Sequence, residues 1–92
     1  MGFEYDRRKS ASNKRKHGIS FSEACALCDD LDAIILPAID CDESRYMVIG
    51  TIGTKHWTAV VTDRNDNVRL ISVRRSRTKE VLFYEKNQSG DS

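Results

Sequence analysis

Val68-Arg69-Leu70-Ile71-Ser72-Val73-Arg74-Arg75-Ser76-Arg77-Thr78-Lys79-Glu80-Val81-Leu82-Phe83-Tyr84 is the stretch on which the reading of this chain turns. Its first half is apolar, β-branched and interrupted by arginines, the composition of a strand. Its second half opens with Ser76 and Thr78 and continues through Val81, Leu82 and Tyr84, the composition of a helix start. A basic cluster therefore sits at a strand-to-helix joint. The free N–H groups and dipole of a helix N-terminus favour anions, and arginines at the joint add to that preference. The plainer alternative is a solvated charged face. Two details weigh against it. Arg69 and Arg74 interleave with Ile71 and Val73 on a rigid element, and Glu80 is the only acid between Asn67 and Tyr84.

Working outward, the spacing predicts an α+β fold in a single domain over 1–87, followed by a disordered polar tail over 88–92. Strands are expected at 33–36, 45–51, 56–62 and 68–74, separated by Gly53-Thr54-Lys55 and Arg64-Asn65-Asp66-Asn67 turns. Turns this short join antiparallel neighbours, so the sheet is four-stranded and mostly antiparallel. Pro37 donates no backbone hydrogen bond and places the 33–36 strand at an edge. An acidic loop fills 38–44.

Two N-terminal helices are expected before the sheet and one helix after it, near 76–86. The first spans 6–17, with Asp6 as N-cap and Gly18 as its C-terminal signal. Ala11 is its only interior hydrophobe, so it is read as a surface helix presenting Lys9, Asn13, Lys16 and His17. The second spans 20–29 and opens on a capping box, Ser20-Phe21-Ser22-Glu23. Phe21, Ala24, Cys25 and Cys28 form its apolar stripe. Before the first helix, Phe3-Glu4-Tyr5 reads as a short extended start.

Composition bounds the function. A chain of 92 residues holds one modest core. The apolar run around Ala33 to Ile39 is broken by Pro37 and is too short to cross a bilayer. The N-terminus has no apolar signal region, so a cytoplasmic location is expected and no membrane partner. Three cysteines argue against a disulfide framework. The Cys25-x-x-Cys28 pair lacks two further ligands at recognisable spacing, so no metal and no cofactor are expected.

The net charge of +1 predicts no nucleic acid by itself, but the charge is segregated. Residues 1–17 carry six basic and two acidic groups, 18–44 carry seven acids and no Lys or Arg, and 45–80 carry eight basic and three acidic groups. A basic face and an acidic face follow.

Taken together the residues resemble the BrnT family of ribonuclease toxins of type II toxin–antitoxin pairs, which have a fold like RelE. The matching pieces are Phe3-x-Tyr5-Asp6 with Lys9 and Asn13; Lys16-His17-Gly18 with Phe21, Glu23 and Ala24; Glu43-x-Arg45 and Gly50; Val60-Val61-Thr62-x-Arg64; and Arg69-x-Ile71-Ser72-x-Arg74 with Glu80 and Tyr84. The resemblance implies an RNA endonuclease that arrests translation. It also implies inhibition by a ribbon-helix-helix antitoxin (BrnA-like), through which alone operator DNA is bound.

Metal-independent RNA cleavage needs a base for the 2′-hydroxyl, an acid for the leaving oxygen and cations for the phosphate. Arginine suits the last task because its planar fork grips phosphate oxygens in pairs. Arg69 and Arg74 are the first candidates, with Arg64 and Arg75 beside them. His17 is the acid–base candidate, or else a helix-terminal histidine facing the dipole. Glu80 is a second base candidate, or the partner of an arginine. Lys16 is a candidate to orient RNA and Tyr84 to stack on a base, unless the one is merely solvated and the other caps the core. A rival reading is a non-catalytic module that binds nucleic acid or a partner through the same basic face.

Overall fold

The computed structural model describes residues 2–38 and 45–89. Strand β1 (Gly2–Glu4) leads into helix α1 (Arg7–His17), a short α2 (Phe21–Ala24) and a 3-10 turn (Cys25–Asp29). Then come β2 (Ile34–Pro37), β3 (Arg45–Ile52), β4 (Lys55–Arg64), β5 (Asn67–Arg75) and α3 (Thr78–Ser89). The fold is α+β, and the sheet has five strands in the order β1-β5-β4-β3-β2.

The expected four strands are thus one short. Gly2–Glu4 pairs in parallel with β5, Phe3 opposite Val68 and Glu4 opposite Arg69. Three residues carry too little pattern to register as a strand; the pairing is supplied from the far end of the chain. The remaining pairs are antiparallel, and β2 with Pro37 does form an edge. The second helix is also shorter than 20–29, because the α-turn tightens into a 3-10 turn at Cys25. At the other end α3 continues to Ser89, two residues into the expected tail, whose last three residues lie outside the described ones. Most of the 38–44 loop lies outside them too.

The caps form as the residues dictate. The Asp6 carboxylate accepts from the N–H groups of Arg8 and Lys9, and Gly18 takes the left-handed conformation (φ 82°) that ends α1. Ser20 and Glu23 close their capping box. Lys14 reaches Glu23 at 2.8 Å, an exposed cross-link between the two helices. Phe21, Ala24 and Leu27 pack with Ile19 on one face of the sheet, against Trp57, Ala59, Val61, Leu70 and Val73.

Helix α1 does not dock as a plain surface helix. Asn13 is only 7% exposed. Its amide donates to the carbonyls of Val73 and Ile19, both at 2.8 Å, and its Oδ1 accepts from the Val73 N–H at 3.3 Å. Ser10 is buried as well and accepts from the Phe21 N–H. Polar side chains, not apolar ones, fasten this helix where β1 ends and β5 would otherwise be an open edge.

Candidate nucleic-acid interface

Strand β5 carries one extra residue. Val60 pairs with Ser72 and Val61 with Leu70, so Ile71 stands out of register. Strict alternation would send Arg69 and Arg74, five residues apart, to opposite faces. The bulge reverses that relation. Arg69 lies opposite Thr62 and Arg74 opposite Thr58, and those threonines share one face of β4. Leu70 and Val73 meanwhile both reach the core.

The face that carries the arginines is half covered. Helix α3 takes one half. Glu80, only 8% exposed, accepts a two-pronged ion pair from Arg74, with both N···O distances 2.8 Å. It also accepts from the Thr58 hydroxyl and the Arg77 N–H. The Arg74 guanidinium, against the cost of burial and helped by the two backbone and hydroxyl donors, holds the Glu80 carboxyl down at about 2. One turn on, the Tyr84 hydroxyl donates to Asp30 at 2.7 Å and its ring meets His56 edge-on at 5.2 Å. Burial of the Asp30 carboxylate is outweighed by donors from Tyr84, Thr51 and Asp32, and its pKa is lowered.

The other half is an open basic cleft of about 620 Å³. Arg45, Thr62 and Arg69 form a row across β3, β4 and β5, with Glu4 of β1 at its end. Arg69 donates to Glu4 at 3.0 Å, and both side chains are about a third exposed. Arg64, two residues from Thr62 on β4, and Lys9 of α1 complete the lining with Ile71 and Asp63. Four cations thus converge on one cleft.

Of the residues singled out by sequence, Arg64 and Arg69 line this cleft. Arg74 and Glu80 pair with each other beside it, under α3. Arg75 lies on the opposite face, 5.4 Å over the Trp57 ring. Tyr84 is 3% exposed. Lys16 and His17 are exposed at the end of α1, about one turn beyond Asn13, and do not line the cleft. Lys9 and Arg45 were missed as site residues. Both belong to the motifs quoted above, but only the sheet register shows that Arg45 shares a row with Arg69.

No group of three or more His, Cys, Asp or Glu able to hold a metal ion occurs among the described residues. No helix there is long and apolar enough to cross a membrane. The family model described as "Ribonuclease toxin, BrnT, of type II toxin-antitoxin system" matches residues 5–80. No curated protein matches the chain.

Proposed function

Because the chain belongs to the BrnT family of ribonuclease toxins of type II toxin–antitoxin systems, we propose that it cuts RNA without a metal, halting translation, and that the open basic cleft carries the scissile phosphate. The observation that supports this most is the convergence of Lys9, Arg45, Arg64 and Arg69 in one cleft. Such a donor set suits a phosphodiester rather than a divalent cation, which wants several oxygen ligands.

In this reading the 2′-hydroxyl attacks the adjacent phosphorus and the 5′-oxygen leaves. The products are a 2′,3′-cyclic phosphate and a new 5′-hydroxyl. Arg69 and Arg64 neutralise the crowded phosphate, and Arg69 exchanges its Glu4 partner for a phosphate oxygen. Arg74 serves as a positioning residue, since its fork is taken by Glu80. A carboxyl held at about 2 is a weak base near neutrality, and His17, which does not line the cleft, meets the flanking strand rather than the scissile phosphate. Lys16 guides the flanking strand, Arg75 lies on the opposite face and takes no part in it, and Tyr84 fixes α3. The inhibitor is a ribbon-helix-helix antitoxin, and operator DNA is met only through it.

The test is incubation of the purified chain with RNA in excess chelator. Cleavage is expected, with cyclic or 3′-phosphate ends and with DNA left intact. Arg69→Ala is expected to lower the rate by about a hundred- to a thousand-fold, the cost of losing one preorganised donor. Chelator-sensitive cleavage, 5′-phosphate ends, or binding with no new RNA ends would each overturn the mechanism.

A further inference from the structure

The face of the sheet that carries α2 is also only half covered. Beside α2 and the 3-10 turn lies a second cleft, about 540 Å³, and its lining is almost wholly apolar. Its floor crosses all five strands, from Phe3 on β1 through Leu70, Val61 and Val48 to Ile35 on β2, with Cys28 on its wall. Phe3 and Ile35 are large hydrophobes left exposed, Ile35 at 66%. A contiguous apolar surface of this kind marks a docking site more often than a lone exposed side chain does.

We propose that this cleft seats an amphipathic helical segment of the antitoxin, apolar along one side and flanked by Lys or Arg. The proposal rests on the family membership, which implies an antitoxin, and goes beyond it in naming the surface and the chemistry. Three features choose the occupant. The cleft lies on a sheet face, where the backbone groups are already paired within the sheet. An occupant must therefore satisfy its own backbone, which a helix does and an added strand does not. Five strands span about 19 Å, the length of a helix of about twelve residues.

The third feature is charge. The charged groups of the lining are Asp30 and Asp63, with no Lys or Arg among them, and Asp29 and Asp32 flank Asp30 in the chain. Basic flanks are complementary to this rim, and acidic ones are repelled. The RNA cleft on the opposite face has the reverse preference, so an acidic nucleic acid and a basic segment sort to different faces.

The experiment uses the chain alone and in complex with its cognate antitoxin. Cys28, exposed on the cleft wall, is alkylated with N-ethylmaleimide and scored by peptide mass spectrometry. Protection of Cys28 in the complex is expected, with free alkylation in the chain alone. Ile35→Lys is expected to weaken antitoxin binding by about tenfold or more while RNA cleavage by the free chain is unchanged. Leu82→Lys, on the exposed face of α3, is expected to leave binding unchanged. If the wild-type chain forms no complex, the proposal falls together with the partner it rests on. If a complex forms with Cys28 still alkylated and Ile35→Lys bound as tightly as wild type, the cleft assignment alone falls. Protection of Cys28 in concentrated chain without antitoxin also overturns it, because a second copy would then be the occupant.

Discussion

Asn13 pairs with β5 four residues beyond the point where β1 stops, giving Val73 both the donor and the acceptor that a neighbouring strand would provide. Removing it leaves two buried carbonyls and one N–H of the core without partners. Asn13→Ala is therefore expected to destabilise the fold by about 1–3 kcal/mol, read as a lowered urea midpoint at unchanged slope. A polar residue on a helix with one hydrophobe reads as solvent-facing, which is why sequence put Asn13 outside. Nothing local announces that an amide will act as a strand. The same scale separates the arginines. Arg74→Ala strands the carboxylate of Glu80 in a nearly buried position, so lost activity there is expected to come with lost stability. Arg69→Ala breaks only a partly exposed pair with Glu4 and is expected to lower cleavage with a nearly unchanged urea midpoint.

Among the elements, α3 depends on ionisation through Glu80. The Glu80 carboxyl is lowered to about 2 from an ordinary 4.5, chiefly by Arg74. A depressed folded-state value means the stabilisation is complete above about 4.5 and is lost as pH falls towards 2. A shift of this size corresponds to on the order of 3 kcal/mol. Asp30, held below its ordinary value largely by Tyr84 and Thr51, adds in the same direction. Acid titration followed by circular dichroism is expected to show stability falling through this window. Glu80→Gln is expected to be less stable at neutral pH and to have a flatter acid limb. The strand and helix content was legible because caps, turns and apolar alternation are local. That Arg69 and Arg74 share one face was not, since the bulge at Ile71 is set by which residues β4 offers opposite it. β1 was hidden for the same reason, its partner lying 65 residues away.

For the molecule as a whole, segregated charge in sequence becomes two unlike sheet faces, one with a basic cleft and one with an apolar, acid-rimmed cleft. The charge blocks do not give the members of either cleft: Asp63 comes from the basic 45–80 block and Lys9 from the N-terminal one, and only the folded sheet assembles them. The basic cleft makes a quantitative demand on RNA binding. Single-stranded nucleic acid releases counterions with a slope of about −0.7 per phosphate neutralised in a plot of log affinity against log salt. Lys9, Arg45, Arg64 and Arg69 can neutralise at most four, so a slope between about −2 and −3 is expected. Arg69→Ala should make it shallower by about 0.7, and Arg75→Ala, on the opposite face, should leave it nearly unchanged. Glu4 gives the sharper test. Its carboxylate occupies Arg69 in the free chain, so RNA must displace it before Arg69 can meet a phosphate. Glu4→Gln removes the competing charge without emptying the position, and it should tighten RNA binding most at low salt, where screening is weakest. Fluorescence anisotropy with a non-cleavable 2′-deoxy strand, read across a salt series, measures both effects. A Glu4→Gln chain that binds no better than the parent at low salt would mean that phosphate does not reach Arg69.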